Sequence, residues 1–173
     1  MKQFEPLVHS VAQALRRRAA TLVTAESCTG GLIAAACTAV AGSSDWFERG
    51  FVSYSNAAKI EALGVEPALI SAHGAVSAEV ARAMAEGALA HSPADIAVAV
   101  TGIAGPGGAA PGKPVGTVWL AWARRGCAPQ AELLQLRGDR EAVREQTVHR
   151  ALQCVVALAQ ADDGARPAPP AAP

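Results

Sequence analysis

Apolar positions recur at two different spacings along the chain, and the alternation between them predicts a series of helices and strands. Leu7, Val11 and Leu15 fall four apart within residues 5–18, which places them on one helical face. Arg16 to Arg18 follow, where a helix C-terminus favours cations. Thr21-Leu-Val-Thr-Ala25 is a short β-rich run, and the small residues from Thr29 to Val40 predict a helix directly after it. Gly42-Ser-Ser-Asp45 interrupts the chain before Phe51-Val-Ser-Tyr54, the second expected strand. Asn56 is placed as the N-cap of a short helix that Gly64 ends. Ser77 caps an alanine-rich helix running to about Ala90, with Glu79 in its first turn.

Asp95-Ile-Ala-Val-Ala-Val-Thr101 has the continuous apolar pattern of a buried strand, and a Gly/Pro loop at 102–114 follows it. Val115 to Ala123, with Trp119 and Trp122, and Ala131 to Leu136 predict two strands joined as an antiparallel hairpin. Asp139 then caps a last helix carrying Val143, Leu152, Val155 and Val156. Alternating elements closed by one hairpin imply a three-layer α/β/α sandwich around a mixed, mostly parallel sheet. The expected division is one domain at 1–160 and a disordered Pro/Ala-rich tail at 161–173, ending RPAPPAAP.

Composition narrows the function classes. With 51% apolar and 17% charged residues, general disorder is excluded. Fifteen Lys and Arg balance fifteen Asp and Glu, so no overall field draws in nucleic acid or an anionic membrane. Aromatic residues make up 4%, too few for a base-stacking surface. The apolar runs are too short to span a bilayer, and Glu5 and His9 stand where a signal peptide needs an apolar stretch, so a cytoplasmic location is expected. Cys28, Cys37, Cys127 and Cys154 form no C-x-x-C, and His9, His73, His91 and His149 are scattered. The thiols read as small buried hydrophobes, and neither a metal nor a cofactor is expected.

Three segments could carry chemistry, each at a strand-to-helix or strand-to-loop junction, where open α/β sheets place their ligands. The first is Ala25-Glu26-Ser27-Cys28-Thr29-Gly30-Gly31. A serine on a sharp turn into a helix is presented outward, with first-turn amides beside it to stabilise an anion. Equally, Ser27 or Thr29 could only cap that helix. The second is Tyr54-Ser55-Asn56-Ala57-Ala58-Lys59. With Asn56 as N-cap, Lys59 is the third helical residue, where the helix dipole disfavours an ammonium. That suits a neutral amine acting as general base, though most lysines are solvated surface groups. Tyr54 is either core or a hydrogen-bond partner of that amine. The third is Thr101-Gly102-Ile103-Ala104-Gly105-Pro106-Gly107-Gly108, whose backbone N–H groups could form an anion nest or serve only as a flexible connection. Gly107-x4-Gly112-Lys113 comes close to a phosphate-binding P-loop, but Pro114 replaces the magnesium-binding hydroxyl and a strand pattern follows, so that reading is rejected.

The strings TAESCTGG (24–31), AGSSDWFERGFVSYSNAAK (41–59), HGAVS (73–77), TGIAGPGG (101–108) and KPVGTVW (113–119) resemble the CinA C-terminal-domain family of nicotinamide-nucleotide amidohydrolases. The resemblance spans about residues 5–160. It implies an α/β/α fold and a stand-alone deamidase, converting nicotinamide mononucleotide to nicotinic acid mononucleotide and ammonia in pyridine-nucleotide salvage. It also implies a Ser/Lys hydrolase with Ser27 as nucleophile, Lys59 as general base and Tyr54 in support. Substrate contacts are expected from Cys28, Thr29, Gly30, Asn56, Thr101, Gly102, Gly105 and Gly107, with Arg140 on the phosphate. A homodimer is carried over from the same resemblance; nucleic acid and membrane are not expected as partners.

Two other readings remain open on sequence alone. Cys28, with Glu26 and Lys59, could form a thiol amidase. The chain could also be a non-catalytic module with a competence- or damage-related regulatory or nucleotide-binding role.

Overall fold

The computed structural model describes residues 1–161. Its strands are β1 (Leu22–Glu26), β2 (Phe47–Val52), β3 (Ile96–Gly102), β4 (Thr117–Arg124) and β5 (Gln130–Gln135). They form one sheet in the order β2-β1-β3-β4-β5. β1 pairs parallel with both β2 and β3, whereas β3 with β4 and β4 with β5 pair antiparallel. Only β4 therefore runs against the others, as the predicted hairpin requires. The helices are α1 (Glu5–Arg17), α2 (Leu32–Thr38), α3 (Asn56–Leu63), α4 (Pro67–His73), α5 (Ala78–Ala90) and α6 (Arg140–Gln160).

The period-two alternation of the strands sorts the core into two layers. Leu22, Ile96, Val98, Val100, Val118 and Leu120 face one side, where Val8, Val11 and Leu15 of α1, Ile33 of α2 and Leu152 and Val155 of α6 cover them. Val23, Ala25, Ala97, Ala99, Ala121 and Ala123 face the other, against Val80 and Met84 of α5 and Leu63 of α3. Each buried Val, Leu or Ile contributes about 1.5–3 kcal/mol. β3 lies at the centre with both faces covered, and all of Ile96 to Thr101 is buried. The alanines of the second face let the helices come close. At Gly87 of α5, a Cβ would lie 1.9 Å from the Leu63 carbonyl oxygen of α3.

Several boundaries differ from the sequence expectation. β2 starts at Phe47, because an edge strand tolerates Glu48 and Arg49 without an alternating pattern. α4 was not anticipated, although Pro67 at its first turn and Gly74 at its end are start and stop signals. α2 begins at Leu32 and not at Thr29, since Gly31 at φ 93° lies outside the helical region. The predicted disordered tail, Ala161 apart, lies outside the described residues. No helix among these residues is long and apolar enough to cross a membrane.

Candidate active site

β1 ends at Glu26, and Ser27 continues its pairing by donating its N–H to the Val100 carbonyl of β3 at 3.0 Å. The chain then turns, with Gly30 N–H donating to Ser27 O at 3.0 Å. Inside this turn lies the Glu26 carboxylate, 1% exposed. Its Oε2 accepts from Thr29 Oγ1 at 2.7 Å, Ile33 N at 3.0 Å and Gly31 N at 3.1 Å, and its Oε1 from Ala34 N at 2.8 Å. The first-turn amides of α2 are thus consumed by Glu26, contrary to the expectation that they face a substrate. Between Ser27 and Leu32, only the N–H groups of Cys28 and Thr29 are without an oxygen acceptor among the described residues, and both lie by the Cys28 thiol.

Lys59 approaches from α3. Ser55, not Asn56, is the N-cap, its hydroxyl accepting from Ala58 N at 3.0 Å. Lys59 is consequently one residue deeper than expected, and its N–H is satisfied by Ser55 O. The side chain is 1% exposed, which rules out the solvated surface lysine. Its Nζ lies 3.0 Å from Ser27 Oγ, 3.0 Å from the Ser53 carbonyl and 3.2 Å from the Tyr54 carbonyl. Burial pushes its pKa below the ordinary 10.5, opposed by the neighbouring Cys28.

This partner set fits both charge states. A neutral amine has two N–H groups for the two carbonyls and a lone pair for the Ser27 hydroxyl proton. An ammonium has three donors for the same three oxygens, while Ser27 O–H can turn to the Tyr54 carbonyl 3.5 Å away. Neither state strands a buried polar atom.

Ser27 and Lys59 lie in the wall of a cavity of about 220 Å³, with Cys28, Tyr54, Asn56, Thr101, Gly102, Ala104 and Arg140 also lining it. A larger, shallow depression of about 660 Å³ on the outer face of α1, by His9, Gln13 and Arg17, shares none of these groups. Residues 4–159 match the CinA C-terminal domain. The chain belongs to the CinA C-terminal domain family. A relative from Pseudomonas putida, named nicotinamide-nucleotide amidohydrolase, is 54% identical over 91% of this chain and 98% of its own length. A competence-damage inducible protein of Symbiobacterium thermophilum is 55% identical over 87% of the chain, which spans only 37% of that relative. The crystal structure of a competence/damage inducible protein from Agrobacterium tumefaciens superposes with a TM-score of 0.87 at 45% identity, covering 91% of this chain and 96% of that one.

Within this CinA domain the remaining expected residues divide. Thr101 donates its hydroxyl to the Ala75 carbonyl at 2.8 Å at the cavity wall. Arg140, the first residue of α6, donates to the Gly105 carbonyl at 2.8 Å and the Tyr54 hydroxyl at 3.0 Å, closing one rim. Tyr54 is 58% exposed; the Lys59 amine meets its carbonyl, and its hydroxyl is held by Arg140. Thr29 is fully buried and spends its hydroxyl on Glu26, so its side chain is not at the cavity. Gly30 and Gly105 are not in the cavity lining, and Gly107 is exposed, with open space where a Cβ would stand. Cys28 lines the cavity, but burial pushes its thiol from 9.0 to about 12, aided by the Glu26 carboxylate and opposed by the Cys28 and Thr29 N–H groups and by Lys59. The P-loop lookalike ends at Lys113, whose Nζ donates to the carbonyls of Val76 at 2.7 Å and His73 at 3.2 Å.

Sequence reasoning missed two residues. Glu26 was read only as part of a thiol site, and no local signal marks it as a cap, since glutamate is not among the residues favoured at helix N-caps. Arg144, one turn after Arg140 on α6, donates to the Thr29 carbonyl at 2.8 Å and ties α6 to the Ser27 turn.

Proposed function

We propose that the chain hydrolyses the carboxamide of nicotinamide mononucleotide to nicotinic acid mononucleotide and ammonia, in pyridine-nucleotide salvage. The observation that carries this reading is a buried lysine amine 3.0 Å from a serine hydroxyl in a cavity with a guanidinium at its rim. The relatives named nicotinamide-nucleotide amidohydrolase support the substrate.

Neutral Lys59 takes the Ser27 proton as Oγ attacks the carboxamide carbon, and the N–H group of Cys28 stabilises the oxyanion. The Lys59 ammonium then gives its proton to the departing nitrogen, releasing ammonia and leaving an ester on Ser27. Lys59 next deprotonates a water that attacks this ester, and Ser27 recovers its proton as the acid departs. Arg140, with donors to spare beyond Gly105 and Tyr54, pairs with the phosphate. Thr101 and Asn56 contact the substrate at the wall. A thiol mechanism is disfavoured because a thiol pushed to about 12 is almost wholly protonated near neutrality. The intact Ser27–Lys59 pair weighs against a module without catalysis. The protein works in the cytoplasm on a free nucleotide, without nucleic acid or membrane, and the homodimer is its proposed assembly. Ammonia release from nicotinamide mononucleotide by wild type and by Ser27→Ala tests the reading; no release by wild type, or equal release by both, sinks it.

A further inference from the structure

The Glu26 carboxylate is a buried charged group that the steps above do not use. Both ends of the turn bearing Ser27 are anchored to this one residue. Its backbone is fixed in the sheet, with Ser53 N–H donating to Glu26 O at 2.9 Å. Its side chain reaches forward over the turn to Thr29, Gly31, Ile33 and Ala34. Ser27 and Cys28 are therefore the crest of a loop that the Glu26 side chain closes from within, while Arg144 ties the Thr29 carbonyl to α6. With the Gly31, Ile33 and Ala34 amides occupied, the N–H group left beside Ser27 in the cavity wall is that of Cys28.

Resting on the Ser27–Lys59 reading, we infer that Glu26 is a positioning residue for the amide hydrolysis: its carboxylate holds the 27–31 turn so that Ser27 Oγ faces Lys59 and the Cys28 N–H group faces the developing oxyanion. It touches neither substrate nor nucleophile. A carboxylate suits this role because both its oxygens accept and neither donates. Glutamine has nearly the same shape but one oxygen, so its amide nitrogen must meet at least one of the N–H groups now bonded. The turn then has to shift by a fraction of an ångström or more, and misplacement on that scale costs up to a hundredfold in rate.

The test compares Glu26→Gln, Thr29→Val and Thr29→Ser with wild type and Ser27→Ala on nicotinamide mononucleotide, with kcat corrected for the folded fraction by circular dichroism. Glu26→Gln should lose roughly thirtyfold or more in kcat with KM within about threefold, because Tyr54, Asn56, Thr101 and Arg140 are untouched. Thr29→Val removes one of the five donors to Glu26, among which Thr24 Oγ1 at 3.3 Å is the longest, and should lower kcat by a smaller factor, about fivefold, again at constant KM; Thr29→Ser restores the hydroxyl and should recover most of that loss. A role in stability alone would lower the folded fraction and leave the corrected kcat unchanged. That result in both Glu26→Gln and Thr29→Val, with Ser27→Ala inactive, overturns this inference and leaves the Ser27 reading standing. Should Glu26→Gln fail to fold, an unchanged kcat in Thr29→Val overturns the inference by itself. Wild-type turnover by Ser27→Ala overturns both.

Discussion

Lys59 Nζ and Ser27 Oγ are 3.0 Å apart although 32 positions separate them in the chain. The parallel pairing of β1 with β2 creates this proximity, because it brings the carboxyl ends of both strands to the same edge of the sheet. Ser27 follows the first strand, and Ser53 and Tyr54, whose carbonyls hold the amine, follow the second. Lys59→Arg should abolish turnover, since a guanidinium does not deprotonate at working pH. The expected kcat loss exceeds roughly a thousandfold, with little change in folding. Wild-type activity should rise with pH through a value below 10.5, because burial lowers the Lys59 pKa and only the neutral amine accepts the proton. A wild-type pH–rate profile that shows no rise anywhere below pH 10.5, or an active Lys59→Arg, would remove Lys59 as the base.

Ser27 and Cys28 are adjacent and both line the cavity, yet they should respond very differently to substitution. Ser27→Ala is expected to lower kcat at least roughly a thousandfold. Cys28→Ala removes a protonated thiol that only packs, and should retain kcat within about tenfold. Steady-state ammonia release by the two folded variants decides between serine and thiol.

The strands and the Ser27 and Lys59 neighbourhood were legible because buried β runs and strand-end motifs are local in sequence, whereas Arg140 was pointed to only by the family resemblance. What stayed hidden depended on contacts between distant segments. The role of Glu26 could not be read from its neighbours, because its acceptor capacity is met by amides as far along as Ala34. Thr29 looked like a cap or a substrate contact, and only the folded turn shows its hydroxyl aimed inward. Tyr54 looked like a partner for the amine through its side chain, whereas the carbonyl serves and the ring is exposed. The strand polarity of Phe47 to Gly50 was masked because edge position relaxes the alternation on which strand reading depends.

Gly87 offers a test of the second core layer. Alanine normally stabilises a helix interior by about 1 kcal/mol over glycine. Here its methyl would lie 1.9 Å from the Leu63 carbonyl oxygen, a clash that only separating α3 from α5 relieves. Gly87→Ala should therefore destabilise by at least about 1–3 kcal/mol, read as a lower urea midpoint. Because α3 carries Lys59, kcat should fall as well. A midpoint equal to or above wild type would show that the helices can part freely.

Alkaline stability follows from three buried thiols. Burial raises Cys28, Cys37 and Cys154 from 9.0 to about 12. Between those values the unfolded chain releases protons that the folded chain keeps, so stability falls with rising pH by about 1.4 kcal/mol per unit for each thiol. Lys59 acts in the opposite sense, since its folded pKa lies below 10.5 and the unfolded chain binds the extra proton up to that pH. Three groups against one give a net loss. Urea unfolding at pH 8.5 and 10.5 should show a fall of at least about 2 kcal/mol, and Cys154→Ala should shallow the slope. A constant unfolding free energy across this range would contradict the burial of the thiols.

Arg140 separates recognition of the phosphate from chemistry at the carboxamide. Its guanidinium already braces Gly105 and Tyr54, so Arg140→Ala alone could weaken the rim for reasons unrelated to the substrate. A cycle with two substrates isolates the phosphate contact. Nicotinamide riboside lacks the phosphate and should show a KM roughly 10–100-fold above that of the mononucleotide on wild type, the range for losing a hydrogen bond to a charged group. On Arg140→Ala the two substrates should differ by less than about threefold, because the partner that distinguishes them is gone. The kcat for the mononucleotide should stay within about tenfold of wild type, since Ser27 and Lys59 are not touched by Arg140. If the riboside keeps its full disadvantage on the variant, the phosphate is bound elsewhere, and the N–H groups of the 102–108 loop become the first place to look.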